Sequence, residues 1–255
     1  MRPGSNDDSS PSVLRPQPAA VRLRVPQSNP LWTYVILAVN VLVFASTWIL
    51  GRELVLSMGA KINQAIVAGE VWRLGTSIFL HVDLLHIAFN SYALLAFGPR
   101  VERPYGWLRF PLIYFLSGLA GSALSFLFSP SPSVGASGAI FGLIGVVGTY
   151  LYRYRDRIAA GRARLANVLG VIGYNLLYGF MVPAVDNWAH IGGLLAGLAL
   201  GWFLAPRYEV AQPDLLGPPQ VVDRRSPIRW LTGIALVALA IGLTLLGGFV
   251  RWGGW

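Results

Sequence analysis

The chain has 255 residues, 55% hydrophobic and only 12% charged, with a formal net charge of +9 and no cysteine. A soluble domain carries about 25% charged residues, so this composition excludes an ordinary globular protein and points to an all-α polytopic membrane protein. The absence of cysteine excludes disulfides, thiol catalysis and cysteine metal sites. The excess positive charge reads as loop arginine facing anionic headgroups, not as a nucleic-acid footprint.

Residues 1–30 are rich in Pro and Ser, include Asp7 and Asp8, and have no apolar core. They read as a disordered cytoplasmic tail rather than a signal peptide, which leaves the first apolar run as an uncleaved anchor. Crossing the hydrocarbon takes roughly 20 apolar residues as a helix. Seven segments qualify, at about 31–50, 81–98, 110–128, 135–152, 166–185, 187–205 and 230–250. The second is the most polar, with His81, Asp83, His86 and Asn90 in its first half. A linker at 206–229 contains Pro206, Pro213, Pro218 and Pro219, and separates a core at 31–205 from a last helix and short tail at 230–255.

Arginine and lysine placement sets the orientation. With the N-terminus inside, the inner segments hold Arg2, Arg15, Arg22 and Arg24, then Arg100, Arg103 and Arg109, then Arg153, Arg155, Arg157, Arg162 and Arg164, then Arg207, Arg224, Arg225 and Arg229. The outer segments hold only Arg52, Lys61, Arg73 and Arg251, and Lys61 is the sole lysine. The expected topology is N-terminus inside and C-terminus outside.

On that topology the second, fourth and sixth spans all run from outside to inside. Ser137, in Gly135-Ala136-Ser137-Gly138, and His190, in Ala189-His190-Ile191-Gly192-Gly193, then both lie within about one turn of the outer end. His86 and Asn90 lie in the outer half of the second span and share a helix face at i, i+4. Intramembrane polar groups are functional candidates by default. The bland alternatives are that Ser137 is helix-packing glue and that Gly135 and Gly138 merely permit close approach. The stripe Gly193, Gly197 and Gly201 reads as packing, and would bring the sixth helix near enough to the fourth for His190 to reach Ser137.

Taken together, these three motifs resemble the rhomboid family of intramembrane serine proteases. Trp72-Arg73 in the first outer loop, Phe79-Leu80-His81, and Glu102 with Gly106 in a Glu-x-x-x-Gly pattern add to the resemblance, which covers about residues 31–205. The Gly-x-Ser-x-Gly elbow of α/β-hydrolases does not fit, because Ala139 occupies its last position. The resemblance implies a six-helix core, here followed by one additional C-terminal transmembrane helix. It also implies a Ser137–His190 dyad with no carboxylate third member. His86, Asn90 and the Ser137 N–H would hold the oxyanion, and Gly135 and Gly138 would shape that site.

Asp186 and Asn187 are expected at the loop end of the sixth helix rather than as orienters of His190. Phe141 stands where the family often has a Tyr, and is expected to pack on His190. His81 reads as structural. The first outer loop is expected to lie partly in the outer leaflet, and the substrate, itself a transmembrane protein segment, to enter between the second and fifth spans near Gly179 and Pro183. No cofactor or metal is implied. The expected setting is a bacterial plasma membrane. The alternative reading is an inactive rhomboid-like protein that binds membrane clients; relatives of that kind usually lack the Ser or the His, and this chain has both.

Overall fold

The computed structural model describes residues 25–212, 219–224 and 226–254; most of the expected N-terminal tail lies outside them. The chain order is α1 (Leu31–Leu50), three short helices α2 (Arg52–Gly59), α3 (Asn63–Val67) and α4 (Arg73–Thr76), a 3-10 turn at Ser77–Phe79, then α5 (Leu84–Tyr105) and α6 (Arg109–Phe128). It continues with α7 (Ser137–Tyr154), α8 (Gly161–Met181), α9 (Asn187–Leu204), an antiparallel hairpin of β1 (Tyr208–Ala211) with β2 (Gln220–Asp223), and α10 (Pro227–Trp252). Each of the seven expected spans is a helix, and the protein is an all-α polytopic membrane protein.

The helix ends have local causes. The Asp83 carboxylate accepts the His86 N–H at 2.8 Å and starts α5. That helix runs on through Pro99 and Pro104 to Gly106 at φ +87°, beyond the expected 98. Ala160, at φ +54°, turns the chain into α8, which ends before Pro183 rather than at 185. The hairpin is a correction to the linker: residues 208–211 and 220–223 are strands, held because Asp223 accepts from the Arg207 N–H at 2.9 Å and pairs with Arg109.

By length and apolarity alone, α1, α6, α9 and α10 qualify as spans, with α5 joining them if it is counted with the Arg73–Phe79 segment, from which it bends by 89°. The shortfall of α7 has a physical reason. Every residue from Gly138 to Thr149 is buried, so this helix faces protein instead of lipid and needs no apolar coat. It is the axis of the bundle, with α6 and α9 packed closest and α5 and α8 beside it. Of the four qualifying helices α1 and α10 are the most exposed, only 22% and 17% buried.

Glycine makes this packing possible. A Cβ on Gly193 would collide with the Gly138 carbonyl oxygen, and one on Gly197 with the Gly142 carbonyl oxygen. One on Gly145 would lie 2.8 Å from the Leu194 carbonyl oxygen, and one on Gly201 would lie 3.0 Å from Val146 Cα. The stripe on α9 is therefore a packing stripe, and it presses backbone on backbone against α7.

Buried charge ties the ends of the bundle. Glu102, fully buried, accepts the Trp32 and Thr33 N–H groups at 2.7 and 2.8 Å and the Thr33 hydroxyl at 2.8 Å. A carboxylate at a helix N-terminus meets unpaired donors and a favourable dipole, so this residue of α5 caps α1. At the same end Arg109 donates to the carbonyls of Tyr105 and Leu204, pairs with Asp223 and lies over the Trp230 ring at 4.8 Å. It joins α6, α9, β2 and α10. The last helix packs on α6 and α9, with Gly233 against Phe203 and Gly248 against Phe126.

A methyl group on the α7–α9 contact is expected to destabilise by about 1–3 kcal/mol through overpacking. Gly193→Ala and Gly197→Ala should lower the thermal midpoint in detergent. Gly170→Ala and Gly173→Ala on α8, where a Cβ meets nothing within 4 Å, should hold or raise it. Equal effects at the two sets of sites would contradict the packing described.

Candidate active site

Ser137 is the first residue of α7, with Ala136 as its uncapped N-cap. The first-turn N–H groups of a helix have no intrahelical partner, so the Ser137 hydroxyl sits beside free backbone donors. The loop before it is held from two sides. The Gly135 N–H donates to the Ser77 carbonyl at 2.9 Å, and Ser133 and Lys61 exchange backbone hydrogen bonds at 2.9 and 3.0 Å. Gly135 adopts φ +129°, and a Cβ there would lie 2.7 Å from His86 Nε2 and 3.7 Å from Ser137 Oγ. Only glycine fits, and its bareness lets the His86 imidazole close over the Ser137 loop.

His190 is on the first turn of α9, 8% exposed, with its ring stacked on Phe141 at 4.2 Å and 11°. The Phe141 packing expected from the sequence is present without a tyrosine hydroxyl. A Cβ on Gly138 would lie 3.2 Å from the Ala189 carbonyl oxygen, so the residues beside Ser137 and His190 are in backbone contact. Among the described residues His190 Nδ1 is buried with no hydrogen-bond partner, and His190 is not hydrogen-bonded to the Ser137 hydroxyl. Catalytic hydrogen bonds are often long in unliganded sites and tighten with substrate.

The neighbouring acid is occupied elsewhere. Asp186 caps α9 by accepting the Ala189 N–H at 3.1 Å and also takes the Ser125 hydroxyl. Asn187 donates to the Leu176 carbonyl at 3.1 Å and fastens the end of α8 to the start of α9. Asn90, 7% exposed, gives one amide N–H to the His86 carbonyl at 3.0 Å, leaving its second donor. His81 is 1% exposed, lies 5.0 Å edge-on to His86, and among the described residues has no side-chain hydrogen-bond partner for either ring nitrogen. The structure thus gathers Ser137, Gly135 and His86 at one point and Phe141, His190 and Gly138 beside it, all at one end of the bundle.

The loop between α1 and α5 divides its motif residues. Trp72 is 55% exposed, as an interfacial aromatic would be, whereas Arg73 is buried. Its guanidinium bonds Glu70 at 2.7 Å and the Ala60 carbonyl at 3.1 Å, so it folds the loop.

Sequence reasoning treated Lys61 only as a topology charge. Its ammonium, 1% exposed, donates to Asn63 Oδ1 at 3.1 Å and to the carbonyls of Ser129 and Ser131 at 3.1 and 2.7 Å. Asn63 adds a bond to the Ser129 carbonyl at 2.9 Å. This clamp fixes the segment that delivers Gly135 and Ser137. No sequence signal separates this buried lysine from a solvated one.

A serine and a histidine at the same end of two glycine-packed membrane helices, without a carboxylate on the histidine, define a class of polytopic membrane protein with a candidate nucleophile–base pair. The rhomboid domain model matches residues 68–207, and the chain belongs to the rhomboid family. It is 40% identical over 224 residues to rhomboid protease GluP of Bacillus subtilis (strain 168), covering 86% of this chain and 41% of that protein. It is 42% identical over 199 residues to the mitochondrial RHOMBOID-like protein 6 of Arabidopsis thaliana, covering 74% of this chain and 63% of that protein. RHOMBOID-like protein 9, chloroplastic, of the same plant is 40% identical over 156 residues, which is 60% of this chain and 36% of that protein. The chain thus spans between about a third and two thirds of the length of these relatives.

The Lys61 clamp has a pH signature. Burial pulls its ammonium down from 10.5 to about 8, partly opposed by the Asp186 carboxylate. Below about 8 the folded and unfolded chains both carry the proton, and the burial cost is fully present. Between about 8 and 10.5 the unfolded chain binds more protons, so folding stability contributed by this group rises with pH. Lys61→Met should lower stability at pH 7 by roughly 1–3 kcal/mol for each carbonyl left unpaired. The wild-type-minus-variant stability should then climb across that window, and a flat difference would show that the ammonium is not buried as described.

Proposed function

We propose that the protein is an intramembrane serine endopeptidase that cleaves transmembrane segments of membrane proteins near the outer membrane face through a Ser137–His190 dyad. The observation that carries this reading is the α7–α9 glycine contact, which holds the Ser137 and His190 turns against one another with no carboxylate on His190. In this reading His190 Nε2 accepts the Ser137 proton as Oγ attacks the scissile carbonyl. The resulting imidazolium then gives that proton to the leaving amine. Water repeats the sequence on the acyl-enzyme, releasing the new carboxyl group and restoring the hydroxyl.

The tetrahedral oxyanion is met by the Ser137 N–H at the α7 N-terminus, by His86 Nε2 and by the free amide N–H of Asn90. Donors aimed where charge develops act more strongly in a water-poor site. The position of His86 over Gly135 supports its role, and Gly138 keeps the wall beside the nucleophile narrow. His81 and Phe141 position the two imidazoles.

In the proposed orientation the N-terminus is cytoplasmic, in a bacterial plasma membrane, and the Ser137 end faces outward. Residues 31–205 form the catalytic core, and 206–229 with 230–255 add a linker and a seventh helix. The substrate span enters between α5 and α8, which do not pack closely on each other. The scissile bond must leave its helix to be attacked, so cleavable spans carry helix-breaking residues near the outer face.

A serine-directed fluorophosphonate should label the purified full chain, and Ser137→Ala should abolish both labelling and cleavage of a model transmembrane substrate while folding is retained. His190→Ala should be inactive at every pH, and wild-type activity should fall on the acid side as the imidazole protonates. Wild-type cleavage by Ser137→Ala would remove the assignment.

Asn90→Ala should lower kcat by up to about 10²–10³ with a smaller change in KM, since its donor acts on charge present only in the transition state. The His86→Ala, Asn90→Ala double variant should lose less than the product of the single losses. Changes confined to KM would make these residues substrate contacts instead.

A further inference from the structure

At the end of the bundle opposite Ser137 there is a cavity of about 830 Å³ between α5, α7 and α8. Its volume falls in the range of about 300–1,000 Å³ typical of small-molecule sites. Its inner wall is apolar, with Val101 from α5, Val147 and Leu151 from α7 and Val168 from α8. Arg100, Arg103 and Arg164 also line it, and no Asp or Glu does. Among the described residues none of these three arginines has a salt bridge, whereas Arg109, Arg155 and Arg162 nearby in the chain all do. Among the described residues the pattern is an apolar slot with three arginines outside any salt bridge and no acid in its lining.

The helix spacing explains the arrangement. Phe97, Arg100 and Arg103 fall at i, i+3 steps along α5, and the Arg100 guanidinium lies 5.4 Å over the Phe97 ring. On α8, Arg164, Asn167, Val168 and Val171 make the facing stripe. Because α8 packs on α7 and α9 but not closely on α5, the slot is bounded on two sides by helices that leave a gap between them. Val171, which lines the slot on α8, is itself exposed, and the exposed surface of a membrane-spanning helix meets lipid. A soluble anion would satisfy the guanidinium groups and leave the valine wall without a partner.

We propose that this cavity is a binding site for one anionic phospholipid of the surrounding membrane, its phosphate on Arg100, Arg103 and Arg164 and an acyl chain along Val101, Val147 and Val168. The bilayer is the source of the ligand. The charge complementarity and the opening between α5 and α8 are what select it over a zwitterionic lipid. Occupancy would brace α8 against α5 at this end, while the same two helices remain apart at the Ser137 end. This inference does not rest on proteolytic activity, and Ser137→Ala is expected to bind the lipid as the wild type does.

The test is native mass spectrometry of the full chain in detergent with equimolar dioleoyl phosphatidylglycerol and dioleoyl phosphatidylcholine. One phosphatidylglycerol should be retained with a binding constant roughly tenfold or more above that of phosphatidylcholine, as three guanidinium contacts predict. The Arg100→Gln, Arg103→Gln, Arg164→Gln triple variant should lose the preference, and the corresponding triple Lys variant should keep most of it. Val171→Trp, which fills the slot without touching charge, should weaken retention of both lipids. Thermal unfolding in lipid-free detergent checks that each variant is folded, and Arg164→Gln alone serves if the triple Gln variant is not.

Equal retention of the two lipids, or a preference that survives in the folded Gln variant, would overturn the proposal. Displacement of the lipid by equal concentrations of inorganic phosphate would reduce the site to a soluble-anion site. Displacement by an uncharged transmembrane peptide would assign the cavity to the substrate path instead.

Discussion

The structure depends on one backbone contact. Where Gly138 and Gly142 of α7 meet Gly193 and Gly197 of α9, there is no room for a single methyl group. In lipid there is little hydrophobic drive between helices, so association rests on close van der Waals packing and hydrogen bonds. The glycine seam supplies the first. It also sets the position of everything at the Ser137 end: Phe141 meets the His190 ring, and Ala189 meets Gly138, only because the two helix axes are this close. Chemistry and packing share the same residues, so a change that loosens the bundle is felt at the site.

Around that seam three buried charges at ends and loops bridge distant parts of the chain. Glu102 caps α1, Lys61 holds the segment before Ser137, and Arg109 gathers α6, α9, β2 and α10. An unpaired buried charge is costly, and each of these has several partners. The middle of the bundle is held by glycine and aliphatic contacts, and the two ends by charge. The Ser137 end therefore combines a rigid floor with loops tied at a few points.

Much of this was legible in the sequence, for physical reasons. Seven apolar runs long enough to span stood out and are seven helices, because a span must satisfy its own backbone. Ser137 and His190 stood out because polar groups in apolar runs are rare. The bounds of α8 shifted because Arg162 and Arg164 extend its first turn at the Arg-rich end, and Pro183 closes its last. The helices between α1 and α5 were not legible, since they are held by Arg73 folding the loop onto Glu70 and Ala60 and by Lys61 and Asn63 reaching Ser129 and Ser131 far along the chain. The hairpin at 208–211 and 220–223 was hidden by surrounding prolines and depends on Asp223 finding Arg109 across more than a hundred residues. Lys61 itself was invisible as a clamp, since a lone lysine between spans carries the same signal whether it faces solvent or is buried.

The Glu102 cap also sets an order in time. The N–H groups of Trp32 and Thr33 find their acceptor about 70 residues further along the chain. At synthesis rates of about 5–20 residues per second, α1 exists for several seconds before that carboxylate is made. During that interval its first turn must be served by water or headgroups at the membrane edge. Only when α5 is inserted does α1 acquire its permanent end, so a helix made before α5 is locked only after it, and the nascent protein carries a loosely seated α1 until its neighbour arrives.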